Sequence, residues 1–322
     1  MLASLAVGPV KVPIGHVAGV LLHRVGVHAG TYTVTERLVV EQLRMPRILM
    51  GAMVGAALGV AGTTMQGLFR NPMADPGIIG VSSGGAAVAV IAIAAGWTGA
   101  FSLALPAFAF AGSLGAAFLV YGVASIGGRF SMATLLLAGI AVSAFLGAII
   151  SMTLVTANNN ALREILFWLA GGLDGSTWEH VRFATPFICV GALVMLALSR
   201  DLNLLMLGDT EARSLGVRVG VLRPVLLAVS ALVTGTAVAF VGTIAFVGLV
   251  VPHMLRLVLG PDNRVLVPMS AVGGALFMVV ADTIARTAVQ PAEFRVGIMT
   301  SLVGAPFFLF LLIRNKRRAE EF

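Results

Sequence analysis

Between Ile48 and Phe69 the chain runs for 22 residues without a charge, and that one stretch excludes most folds. A helix needs about 20 apolar residues to cross a hydrocarbon core. Arg44, Pro46 and Arg47 open the stretch; Arg70, Asn71, Pro72, Asp75 and Pro76 close it in a polar, proline-rich break. An apolar, glycine-rich segment then begins again. A bilayer interior admits such a break only where protein or a water-filled cavity shields it. The pattern predicts two membrane spans joined by a functional elbow at one membrane face.

Composition extends that reading to the whole chain. Hydrophobic residues make up 58% and charged ones 11%, with mean hydropathy +1.00, whereas soluble domains carry about 25% charged residues. The 38 glycines suit close helix contact in lipid, where small residues let backbones approach. Long unbroken runs argue against a β-barrel, whose segments are short and alternating. The expected fold class is all-α, a polytopic helical membrane protein with one transmembrane domain over residues 1–322. The net charge of +7 lies in arginines between apolar runs, where it sets topology rather than binding nucleic acid. The single Cys189 excludes an intrachain disulfide and a cysteine metal cluster. Met1–Val7 is too short for a signal peptide or a full span.

Residues 8–43 are mixed, with Pro9, Pro13, Glu36, Arg37 and Glu41, and read as a loop with one or two short interfacial helices. Apolar runs follow over 47–69, 77–96, 101–126, 132–156, 181–199, 222–242, 243–259, 265–285 and 297–313. Gly242 is the expected corner between the sixth and seventh. Placing the tail Arg314–Arg318 in the cytoplasm puts twelve of the 21 Lys and Arg on that side, the sign of the positive-inside rule. Arg44, Arg47, Arg286 and Arg295 then gather on the outer face.

Three constellations stand out. The 200–222 loop holds two short helical segments, Asn203–Gly208 and Thr210–Leu215, broken at Gly208. Asp209 or Thr210 would cap the second and Gly216 would end it; the loop is either a docking pair for a partner or an ordinary polar turn. Asp282 and Arg286, four apart, share a helix face near the outer end of a span. An intramembrane acid is a functional candidate; the other reading is an ion pair that holds the helix end. His253 and Arg256 read as a helix-end cap, with no second ligand at metal spacing. The two lysines, Lys11 and Lys316, lie outside any G-x-x-x-x-G-K-[ST] phosphate loop. GVSSGG at 80–85 superficially resembles a nucleophile site, yet it sits in a glycine-rich apolar segment with no base in view. The chain is therefore not read as an enzyme.

Eight stretches occur in order: RMPR (44–47), AGTTMQGLFRNPMADPGIIGVSSGGA (61–86), LLLAGIAVSA (135–144), FWLAGGL (167–173), LLMLGDTEARSLGV (204–217), GTIAFVGLVVPHMLRLVLGPDNR (242–264), ADTIAR (281–286) and VGIMTSLVGAPFFLFLL (296–312). Together they resemble the permease subunits of ATP-binding-cassette importers for iron–siderophores, haem and vitamin B12. The resemblance implies ten helices per subunit and a homodimer in the bacterial inner membrane, with a cytoplasmic C-terminus. It also implies two copies of a cytoplasmic ATPase, which would carry the ATP and Mg, and an extracytoplasmic substrate-binding protein. No cofactor is expected on this chain.

By position, the resemblance makes Arg44, Arg47 and Arg286 the binding-protein dock. Leu207, Gly208, Asp209, Glu211, Ala212, Leu215 and Gly216 become the ATPase-coupling element, and Asn71 and Met73 a cytoplasmic gate. The domain then divides into 1–46 (truncated first helix and outer loop), 47–199 (first spans), 200–222 (coupling loop), 223–313 (second spans) and 314–322 (cytoplasmic tail). Family members carry a full first helix before the stretch seen here as Gly8-Pro9-Val10; a shortened chain or a mis-assigned start accounts for its truncation better than a nine-helix permease. The implied cargo is a bulky iron chelate, ferric siderophore or haem, passed along the homodimer axis, with cobalamin as the alternative. An ion-coupled secondary transporter is the rival from another class. It would need several buried acids or broken helices, and only Asp282 qualifies. A lining of Met, Ala, Gly, Ser and Thr suggests a slippery conduit that names no ligand.

Overall fold

Every apolar run of the sequence contains a helix in the computed structural model, which describes residues 2–8, 10–24, 26, 30–126, 131–288 and 293–320. Short helices α1 (Leu2–Ala6) and α2 (Ile14–Arg24) precede α3 (Val34–Leu38). A capping box starts α3: Thr33 accepts from the Glu36 N–H, and Glu36 accepts from the Thr33 N–H. Through a wide π-type turn at Val39–Arg44, α3 runs on into α4 (Met45–Leu68). Pro46 explains the wide turn. Its ring has no N–H and would clash with the carbonyl four residues back, and a π-bulge absorbs both. Val34–Leu68 is thus one span of 35 residues, so part of the expected outer loop is the first turns of a membrane helix.

A one-turn 3-10 segment, Pro76–Ile79, leads to α5 (Val81–Ala94). Then come α6 (Ala104–Ala124), α7 (Met132–Thr156), α8 (Asn159–Leu169) and α9 (Trp178–Ala197). The short pair α10 (Ser199–Leu207) and α11 (Asp209–Ser214) follows. The chain ends with α12 (Val219–Val241), α13 (Val247–Leu259), α14 (Asn263–Ala285) and α15 (Val296–Glu320). The end of the bundle bearing α10 and α11 is termed inner, and the end bearing Arg44 and Arg47 outer. Helix starts follow local chemistry: Ser131, Asn158, Thr177 and Asp262 each accept a backbone N–H in the first turn of α7, α8, α9 and α14. The described residues contain no strand. The α3–α4 span, α6, α7, α9, α12 and α14 are long and apolar enough to cross a membrane, while α5 and α13 are shorter.

Helix α4 is the axis of the bundle. Its Gly55, Gly59 and Gly62 face the backbone carbonyls of Gly274, Ser270 and Gly248, and a Cβ at any of them would overlap a carbonyl oxygen. Bare backbone therefore brings α4 against α14 and α13, the contact that small residues permit in lipid. Polar bonds cross the seam: Thr63 Oγ1 donates to Ser270 Oγ at 2.8 Å, and Gln66 Nε2 to the Leu249 carbonyl at 3.1 Å. A buried apolar cluster from Met50 to Ala61 joins α9, α12 and α14 through Ile188, Val233 and Met278. Phe118, Leu137, Phe145, Phe183 and Leu193 stand exposed on α6, α7 and α9, as lipid-facing side chains do.

Candidate functional site

On the outer face the structure brings Arg44, Arg47, Asp282 and Arg286 together and assigns them different partners from those expected. Arg47 Nε donates to both Asp282 oxygens at 3.0 and 3.1 Å, its Nη2 donates to Oδ1 at 2.8 Å, and its Nη1 reaches Glu293 at 2.8 Å. Arg286 Nε lies 3.9 Å from Asp282, an electrostatic neighbour outside hydrogen-bonding range. The main partner of Asp282 is thus Arg47, 235 residues away in sequence, and the i, i+4 pair read from the sequence is secondary.

Nor do the three arginines form an open basic patch. Arg44 is 5% and Arg286 2% exposed. Arg286 Nη2 donates to the Ser4 carbonyl and hydroxyl, and Arg44 donates to the carbonyls of Leu5, Ala6 and Val10. The physical reason is α1. A helix C-terminus leaves its last carbonyls without intrahelical partners and carries partial negative charge, and guanidinium groups satisfy both. A helix of five residues leaves no periodic trace in the sequence from which this could be foreseen.

At the inner face the elbow is built from side-chain caps. Asn71 Oδ1 accepts from the Met73 N–H at 2.9 Å, and Asp75 Oδ1 from the Gly77 N–H at 2.8 Å. Arg70 adopts a left-handed φ of 49°, which turns the chain sharply out of α4. Asn71 and Met73, the expected gate residues, are both exposed at this turn.

The expected coupling pair, α10 and α11, breaks at Gly208, where φ is 138°, and α11 ends before Gly216 at φ 88°. Leu207 and Leu215 are 63% and 58% exposed, but Ala212 is fully buried. It belongs to the chain's own apolar cluster with Leu68, Leu205 and Val217, so Ala212 presents nothing to a partner. Glu211 lies on the exposed side. A connection that the sequence did not suggest lies at Asp209, at the start of α11. Arg70 of the elbow donates to it at 2.8 Å, and Arg223 of α12 forks both its oxygens. Burial pushes the Asp209 carboxyl up, but the two guanidinium groups outweigh it, so it titrates below the ordinary carboxylate range. Elbow and helix pair are therefore one ion-paired unit. His253 and Arg256 do not cap α13: both ring nitrogens of His253 and Nε and Nη2 of Arg256 are buried without a hydrogen-bond partner among the described residues.

A cleft of ≈ 730 Å³ opens between these two faces. The elbow (Asp75, Gly77, Ser82), the end of α8 (Leu169, Ala170), the link Thr243–Ala245 and one side of α15 (Gly297, Ser301, Pro306) line it. Among the described residues no group of three or more His, Cys, Asp or Glu could hold a metal ion.

An all-α bundle of this kind, with a broken inner elbow, an exposed helix pair tied to it and a cleft between the faces, is a multi-pass membrane permease. The chain belongs to the FecCD transport family, whose profile matches residues 1–314, and the relatives it resembles are transport permease subunits. It is 49% identical to the cobalamin import system permease protein BtuC of Halobacterium salinarum over 88% of this chain and 76% of that one. It is 43% identical to the hemin transport system permease protein HmuU of Yersinia pestis, over 86% and 83%. A solved structure, described as an inward-facing conformation of a metal-chelate type ABC transporter, superposes with a TM-score of 0.83 at 32% identity, over 97% of this chain and 94% of that one.

Proposed function

We propose that the chain is the membrane half of an ATP-driven importer in the bacterial inner membrane, working as a homodimer with two copies of a cytoplasmic ATPase. A bulky metal chelate arrives from an extracytoplasmic binding protein at the outer face, where Arg47 is the one arginine of the expected dock that still reaches solvent. It leaves past Asn71 and Met73 at the inner face, the side that also holds the C-terminus. The observation that carries this reading is the α10–α11 pair, with Leu207 and Leu215 exposed and Asp209 bound to the elbow. An apolar exposed pair fits a groove on an ATPase, and the ion pairs give it a grip on the gate. Similarity to relatives named for hemin and cobalamin supports a cargo of that size. Iron chelates, ferric siderophore or haem, and cobalamin stand level as candidates, the second because of the 49% identity to a cobalamin permease.

The test is uptake into proteoliposomes holding this chain with the ATPase and binding protein encoded beside it. Ferric hydroxamate, haemin and cyanocobalamin are offered in turn. ATP-dependent accumulation of one of them is expected. Accumulation that follows an ion gradient without ATP would instead establish a secondary transporter.

A further inference from the structure

Helix α12 ends at Val241 and α13 begins at Val247, and the link between them is neither helix nor strand. It does not run over a surface. Trp168 and Gly171 pack on Gly242 near the outer end, while Gly248 packs on the Leu58 carbonyl and Pro76. Leu58 lies thirteen residues into α4, roughly 20 Å from that helix's outer end. The link therefore descends through membrane depth as irregular backbone. Its N–H groups from Thr243 to Phe246, and its carbonyls from Gly242 to Ala245, make no hydrogen bond among the described residues. Unpaired backbone at this depth persists only where it lines a water-filled cavity or is buried in protein. Thr243 and Ile244 are half-buried and Ala245 is exposed, all three on the cleft. Phe246 closes the link at a φ of +69°, a strained setting for a bulky residue.

The opposite walls are polar at matching places. Asp75 uses Oδ1 to cap Gly77, and its Oδ2 has no partner among the described residues. Ser82 has none either, and Ser301 donates to the Gly297 carbonyl, which leaves its oxygen free to accept. We propose that the Ile244–Ala245 backbone, the Asp75 carboxyl and the Ser82 and Ser301 hydroxyls form a hydrated hydrogen-bonding lane for cargo whose rim carries amide or hydroxyl donors. The conduit is thus not uniformly slippery. Free carbonyls accept N–H and O–H groups and face a rim of carboxylates unfavourably, and the Asp75 carboxyl, which burial raises above the ordinary range, adds a further hydrogen-bonding group. The lane favours an amide- or hydroxyl-rimmed chelate or corrinoid over a dicarboxylate porphyrin. This assignment rests on the importer reading above.

The experiment uses the full complex in nanodiscs and proteoliposomes, with Cys189→Ser as background. Two readouts need no cargo. Amides 243–246 should exchange at the earliest time points, unlike those of α4. Ala245→Cys and Ser301→Cys should react with a charged, membrane-impermeant thiosulfonate, whereas Leu193→Cys on the lipid-facing side of α9 should not. Slow exchange, or inert cysteines at 245 and 301, overturns the lane; that is also the result if a second copy of the chain fills the cleft. The third readout uses cyanocobalamin, ferric hydroxamate and haemin as probes. An amide- or hydroxyl-rimmed probe should slow labelling of Ser301→Cys, and Asp75→Asn should weaken that protection about fivefold, as for a lost hydrogen bond. Asn keeps the cap on Gly77, so the fold is retained, and Ser82→Ala serves as a second variant. Protection by haemin alone, unaffected by Asp75→Asn, overturns the cargo class. Failure to import any probe would count against the importer reading alone, because exchange and labelling still decide the lane.

Discussion

Replacing Asp282 with Ala should be among the most damaging single changes outside the glycine seam. It removes the acceptor of three hydrogen bonds from Arg47 and the countercharge 3.9 Å from Arg286. The side chains of Arg47, Asp282 and Arg286 are 13%, 3% and 2% exposed, so water cannot replace what is lost. Breaking a buried pair from one side costs about 3–5 kcal/mol. Glu293 still holds Arg47 at 2.8 Å and Ser4 still accepts from Arg286, which places the cost near the lower end, about 3 kcal/mol. That is roughly two powers of ten in the unfolding equilibrium. The assay is SDS-driven unfolding of the purified chain in mixed micelles, followed by tryptophan fluorescence. Arg47→Met combined with Asp282→Leu should recover most of the loss, since apolar groups can replace a buried pair at little cost. The Arg47–Asp282 coupling in a double-mutant cycle should exceed that of Arg286–Asp282. A loss below about 0.5 kcal/mol for Asp282→Ala, within the range of ordinary surface changes, or the reverse order of couplings, would refute this account of the cluster.

At the inner face, Leu207→Glu or Leu215→Glu should abolish co-purification of the ATPase while leaving the permease stable. Ala212→Asp should instead unfold the α10–α11 region of the isolated chain, because it buries an unpaired charge at a cost of several kcal/mol; limited proteolysis separates the two outcomes. Asp209→Asn should leave ATP hydrolysis running but lower the cargo moved per ATP, measured in proteoliposomes. Because the Asp209 carboxyl is depressed, its ion pairs are intact above the unfolded value near about 4 and fail only as pH falls through the lower folded value. Coupling should thus be flat from about pH 5 to 8, and a transition inside that window would exclude Asp209 as the link. Asn71→Cys should cross-link between two subunits in one nucleotide state and much less in another; equal yields would mean a static elbow.

The spans were legible because length and apolarity suffice to place them. Helix α8 was not, since Arg163 and Glu164 break its apolar run, and an amphipathic helix of 11 residues is too short to register as a span. Gly242 was readable as a corner, but nothing in the letters tells a tight turn from a link that descends unpaired. Helix neighbours are visible at i, i+4, so Arg286 looked like the partner of Asp282; a bond spanning 235 residues is set by how α4 and α14 cross. Ala212 shows the same limit on a smaller scale. Six residues carry too little periodicity to reveal which face is buried.

The glycine seam and the Asp209 cluster together determine where motion can arise. With α4 welded to α14 and α13 at Gly55, Gly59 and Gly62, closely packed backbone resists small displacements. Bending α4 within the seam is therefore a costly way to move the elbow. The elbow can move by rotating about the Arg70 turn, and the handle on that turn is the Arg70–Asp209 pair. A push on α11 then reaches Asn71 and Met73 through an ion pair instead of through the bundle core. Arg223 holds the same carboxylate to α12, so the push is shared with the helix that leads to the unpaired link at Thr243. With Asn71 and Met73 as the proposed gate, gate and proposed lane would lie at the two ends of one relay, and Asp209→Asn should disconnect both.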